Sequence, residues 1–119
     1  MTLAPGSPFP RLARYAGVVL NALTALAWGG LGLLSLGTGN AMLSIMPFVL
    51  VALYTATAWG FIQRSSWALG RSYRVHALGA IIDLYEVIGL HQMIYAPLLV
   101  LHLGALVCTH LAKPDFAAR

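Results

Sequence analysis

Charge is what this sequence has least of. Asp, Glu, Lys and Arg make up 8% of its 119 residues, and only three of these are acids, whereas an ordinary soluble domain carries about 25% charge. Between positions 15 and 63 there is no Asp, Glu, Lys, Arg or His at all. A chain so poor in charge cannot cover a water-facing surface, which excludes both an ordinary soluble domain and a disordered segment. Cysteine is nearly absent too. Cys108 stands alone, so an internal disulfide, a CxxC redox pair and a thiolate zinc site are all excluded. The seven cations give a net charge of +4, but they are dispersed and form no dense basic face, so nucleic acid is not an expected partner. No GxSxG, phosphate-loop or HExxH motif is present, which leans against an enzyme.

What is abundant is apolar surface: 60% of the residues are hydrophobic and the mean hydropathy is +0.82. A bilayer core of about 30 Å takes roughly 20 such residues per helix. The expected fold is an all-α membrane protein, a single domain over 1–119 forming an up-down bundle of four transmembrane helices. The turn residues Gly37-Thr38-Gly39-Asn40 divide the long uncharged stretch. The helices are expected at about 15–36, 41–62, 68–90 and 93–112, with Lys113-Pro114-Asp115 closing the last. Residues 1–10, with Pro5, Pro8 and Pro10, read as an extended cytoplasmic tail. The first apolar stretch is longer than the roughly 7–15 residues of a signal-peptide core, and so reads as a span.

Orientation follows from the cations. Arg11 and Arg14 precede helix 1, Arg64, Arg71 and Arg74 lie between helices 2 and 3, and Lys113 and Arg119 follow helix 4. The other two connections carry no Lys or Arg, so the positive-inside rule puts both termini in the cytoplasm, the chain residing in the cell's inner (cytoplasmic) membrane.

A helical residue advances about 100°, which sorts each helix into a polar or small face and an apolar remainder. Asn21 and Thr24 share a face of helix 1, Tyr54 shares a stripe of helix 2 with Ser44, Pro47, Val51 and Ala58, and His76, Gly79, Asp83 and Glu86 share a face of helix 3. His102 lies with Leu98, Ala105 and Thr109 on helix 4. Counting about 1.5 Å per residue, Asp83, Glu86, His102, Tyr54 and Asn21 fall near one level of the bundle. Ionisable groups in mid-membrane cost on the order of 2.5–3.5 kcal/mol to insert and are functional candidates by default. Asp83 and Glu86, at i and i+3, cannot both ionise in a dry site. They are therefore candidates for binding a proton or a cation, with His102 beside them.

A metal would draw on Asp83, Glu86 and His102, but the doubled Glu-x-x-His of di-iron bundles is missing, and no metal is favoured. For haem, His76 and His110 form the pair expected at matching depth, both near the cation-bearing ends of helices 3 and 4. No cofactor is favoured. The expected partners are membrane lipid and other membrane subunits or further copies of the chain. The first expectation for function is an accessory, structural or assembly subunit of a larger membrane complex of respiratory, photosynthetic or transport type. The alternative is a small oligomeric proton-coupled transporter using Asp83 and Glu86. A metal- or haem-binding membrane protein comes third.

Overall fold

A computed structural model describes residues 6–117, residue 43 by its backbone alone. The chain is 87% helical, with no strand among the described residues. Helix α1 spans Phe9–Ser35, α2 Ala41–Ile62, α3 Ser66–Leu84 and α4 Ala96–Ala117. A π-turn, Tyr85–Gly89, extends α3, and a 3-10 turn, Met93–Tyr95, leads into α4. Each helix packs against the next in sequence and α4 closes back on α1; α2 and α3 touch least. The bundle is elongated, 53 × 27 × 17 Å.

Three segments are long and apolar enough to cross a membrane: Phe9–Ser35, Ser44–Ile62 and Met93–Ala117. Helix α3 is not, since it carries Arg71, Arg74 and Asp83. The outer surface is apolar, with Leu26, Leu33, Leu34, Ile81, Ile94 and Val100 all well exposed. The interior is the reverse. Asn21, Thr24, Thr57, Ser72, His76, Asp83, His102 and Thr109 are all fully buried. Polar side chains inside and aliphatic ones outside is the arrangement a lipid solvent favours.

The helix ends differ from expectation at three places. Helix α1 starts at Phe9 and not near position 15, so Phe9 and Pro10 belong to it and not to an extended tail. Proline at the first turn removes only an N–H that would lack a helical partner anyway, and the Ser7 hydroxyl accepts the Phe9 N–H at 3.2 Å. Residues 1–5 of the expected tail, and Arg119, lie outside the described residues. Helix α4 runs through Pro114 to Ala117 instead of stopping near position 112. Two anchors beyond the proline hold its last turn: Asp115 pairs with Arg14, and the Phe116 ring meets Phe61 edge-on at 5.1 Å. The third helix, expected as α over 68–90, leaves α geometry after Leu84.

The expected second helix, 41–62, is observed unchanged. Asn40 accepts the Met42 N–H at 3.0 Å as its N-cap. Its far end closes with Arg64 in the left-handed region, φ 55°. The Ser65 N–H reaches the Gly60 carbonyl at 2.8 Å and the Arg64 N–H the Phe61 carbonyl at 3.3 Å, the two bonds of a Schellman cap. The buried Arg14 side chain donates to the carbonyls of Phe61 and Ile62, at 3.0 and 3.3 Å, and through Nε to Asp115 at 2.5 Å. One guanidinium thereby ties α1, α2 and α4 together at the cation-bearing end. Just inside it, Ala13, Phe61, Ala68, Ala112 and Phe116 form the buried apolar cluster.

Candidate functional site

Four buried polar side chains from three helices form a line across the middle of the bundle. Asn21 on α1 donates from Nδ2 to the Gly17 carbonyl at 2.9 Å, which leaves its Oδ1 as the acceptor facing His76 Nε2 at 2.9 Å. His76 Nδ1 and His102 Nδ1 are 2.8 Å apart. His102 Nε2 then stands 3.3 Å from Asp83 Oδ2, with both side chains fully buried. The Tyr54 ring covers the two imidazoles, its centroid 5.0 Å from His76 and 5.8 Å from His102. Its hydroxyl donates to the Val75 carbonyl at 3.3 Å.

Tautomers follow from the donors and acceptors each ring has. An amide oxygen only accepts, so His76 carries its proton on Nε2. In the neutral ring Nδ1 is then the acceptor, and the bond between the imidazoles is donated by His102 Nδ1. That leaves His102 Nε2 without a hydrogen, facing a carboxyl oxygen. Two bare acceptors opposed in a dry interior repel each other, so one proton belongs between Asp83 and His102. It resides on Asp83, on His102 as an imidazolium–carboxylate pair, or on His76 after a shift along the Nδ1···Nδ1 bond. All three arrangements hold the same number of protons. The line of side chains can hold one proton in any of these three places, a geometry suited to a proton relay.

Its two ends differ. The Asn21 end is bonded throughout. At the other end Asp83 Oδ2 and His102 Nε2 meet only each other, and Asp83 Oδ1 and Glu86 Oε2 are buried with no hydrogen-bond partner among the described residues. Buried polar atoms are rarely left so.

Close approach of α3 and α4 makes the relay possible. A methyl group at Gly79 would overlap the His102 ring; glycine there lets the imidazole lie against the α3 backbone between His76 and Asp83.

No known family, curated protein or solved structure matches the chain. The geometry alone carries the reading that follows.

The expected site residues are brought together in part. Asp83, His102 and Tyr54 are in contact, and Asn21 joins them through His76. Glu86 makes no hydrogen bond to these four side chains; it lies second in the π-turn and is only half buried. Asp83, Glu86 and His102 do not converge on a metal, and no group of three or more His, Cys, Asp or Glu side chains does so among the described residues. The gap between the two Nδ1 atoms is a hydrogen bond, since a metal held at about 2.0–2.1 Å from each would push them further apart. The expected haem pair is not formed. His110 is exposed and its Nδ1 lies 3.4 Å from the Tyr73 hydroxyl, while His76 sits ten residues into α3, at the level of His102. His76 is thus the member the sequence reading left out of the site, although it shares the helix face of Gly79 and Asp83.

The basic residues read as topology markers have structural roles as well. Arg64 Nε lies 3.6 Å from the Asp115 carboxylate. Arg71 stacks over Trp67 at 4.9 Å, and Lys113 over Tyr73 at 6.0 Å. Arg74 donates to the Gly70 carbonyl at 3.2 Å, and Arg11 is exposed.

Proposed function

We propose that the chain crosses the cell's inner (cytoplasmic) membrane four times, with both termini in the cytoplasm, and performs a proton-linked function by loading and unloading the Asp83–His102–His76 relay. Support for α3 as the fourth span is its exposed flank, Leu78, Ile81 and Ile82, with Asp83 turned inward and Arg71 and Arg74 toward the cation-bearing end. Long arginine side chains near a helix end reach the headgroups along their apolar stems. The observation that carries the function is the fully buried carboxyl of Asp83 within 3.3 Å of a histidine ring that is itself bonded to a second. A transporter of this kind would use the relay to couple proton binding to movement of a solute.

The test is infrared difference spectroscopy of the protein in nanodiscs between acid and alkaline buffer. Wild type is expected to show a carboxylic C=O band accompanied by imidazole changes. Asp83→Asn should remove the band and uncouple the ring changes. A difference spectrum that Asp83→Asn leaves intact overturns the reading.

A second reading is favoured by an apolar groove of about 650 Å³ between α1 and α2, floored by Ala22, Ala25, Gly29, Val51, Thr55 and Ala58. Small residues at this spacing admit a neighbouring transmembrane helix. The chain would then be an accessory or assembly subunit of a larger membrane complex, with the polar line as interior glue. Native mass spectrometry after mild extraction from its own cells separates the two: a stoichiometric assembly whose yield falls with Ala25→Phe supports the subunit, and a lone monomer or homo-oligomer excludes it.

A further inference from the structure

The two halves of the bundle offer a proton very different surroundings. Between the relay and the cation-bearing end, every hydroxyl in the core is already spent. Thr109 donates to the Ala105 carbonyl at 2.7 Å, and Ser72 donates in turn to the Thr109 hydroxyl oxygen at 2.8 Å. Thr57 donates to the Leu53 carbonyl at 2.8 Å. Asn21, which ends the relay on this side, is an amide with no dissociable proton. Beyond these lies the apolar cluster, where the Phe61 ring lies so tightly on α1 that a methyl at Gly17 would come within 2.6 Å of it. The clamp of Arg14 and Asp115 closes the end.

The opposite half has no such seal. Asp83 meets His102 through Oδ2 but leaves Oδ1 without a partner among the described residues, and Glu86, three residues further along and half exposed, buries Oε2 without one. The wide π-turn that contains Glu86 is followed by exposed His91 and Gln92. Turns of this kind interrupt α-helices frequently at functional sites.

We infer that the relay has a single water-accessible port, at the end of the bundle opposite the cations, through which protons pass from the bulk to Asp83 by way of Glu86. This rests on the proton-linked reading above and adds the side from which the site is served. Among the described residues, His102 from α4 lies 3.3 Å from Asp83, and Tyr54 from α2, Tyr95 from the 3-10 turn and Glu86 on its own segment are near enough to feel its charge. A proton leaving water is taken by the Glu86 carboxylate and handed to the Asp83 carboxylate. His102 Nε2 then receives it, and Glu86 is left ready for the next. Each step transfers one proton between named acceptors, and nothing is oxidised or reduced.

The test uses the full chain, 15N-labelled at histidine, in nanodiscs, transferred from light to heavy water. The readout is the exchange rate of the proton in the Nδ1···Nδ1 bond. Glu86→Leu is expected to slow it at least tenfold, and Glu86→Gln, which keeps the shape but has no proton to give, to do the same. Ser72→Ala, on the sealed side, is expected to leave it unchanged. Wild-type histidine shifts in each variant certify the fold. Slowing of less than tenfold in both Glu86 variants overturns the port while leaving the relay in place. Equal slowing in Ser72→Ala overturns it as well, because the route would then run through the other end. Spectra of the unaltered protein without a bonded Nδ1 pair overturn the relay, and the port with it.

Discussion

Gly79→Ala is expected to destabilise the bundle by about 1–2 kcal/mol, although glycine-to-alanine changes inside helices usually stabilise. The usual gain is about 0.5–1 kcal/mol, from the smaller backbone entropy of the unfolded chain. At Gly79 the new methyl would enter the space of the His102 imidazole. The ring cannot yield, because it is bonded to His76 on one edge, faces Asp83 on the other and is covered by Tyr54. Overpacking of this kind costs about 1–3 kcal/mol, which outweighs the entropic gain. Gly30→Ala is the internal control, since nothing lies within 4 Å of where its methyl would go; it is expected to stabilise. Equilibrium unfolding in mixed micelles gives both signs. If Gly79→Ala stabilises as Gly30→Ala does, the packing of His102 against α3 is wrong. The same substitution is expected to break the Nδ1···Nδ1 bond, which histidine 15N shifts report.

The larger loss is expected from Asp115→Ala, about 3 kcal/mol. Removing one member of a buried ion pair costs about 3–5 kcal/mol because the other charge is left uncompensated. The low end applies here, since Arg14 keeps its bonds to the Phe61 and Ile62 carbonyls and lies at the cation-bearing end of the bundle. Arg64, the second cation near Asp115, is partly exposed and reaches water when the acid is lost. The double variant Arg14→Met, Asp115→Leu is expected to recover most of the stability, because well-packed apolar pairs often replace buried ion pairs without loss. A double-mutant cycle measures the coupling. A loss below about 1 kcal/mol for Asp115→Ala, the range of exposed pairs, would remove the clamp from this account.

Much of this architecture is visible in the order of residues, and the exceptions have physical causes. The turn at Gly37–Asn40 and the polar step at Gln63 bound α2 because hydropathy changes where the backbone turns. Hydropathy says nothing about where α1 begins, since Arg11 and Arg14 can be helical while Pro8 and Pro10 suit a first turn. Pro114 reads as a stop, but the Asp115 and Phe116 anchors are tertiary and override it. Helical periodicity brings Asn21, Tyr54, Asp83 and His102 inward, and counting residues puts them at one level. The bond from His76 to His102 depends on the register of the α3–α4 hairpin, and that register is set by the π-turn after Leu84, which no local pattern announces. Arg14 is hidden for a related reason: its partner is 101 positions away, and charge counting assigns both residues to the same surface without pairing them.

The scant contact between α2 and α3 gives the bundle a spine and an open edge. Helices α1 and α4 pack closely along their length and act as the binding of a book, with α2 and α3 as the fore-edges of its two covers. Across that edge in the middle of the bundle runs the Tyr54–Val75 hydrogen bond, at a long 3.3 Å. Parting the covers there breaks less packing than parting any other pair of neighbours, and in the proposed membrane setting the gap would expose the imidazoles behind Tyr54 to hydrocarbon tails before it exposed them to water.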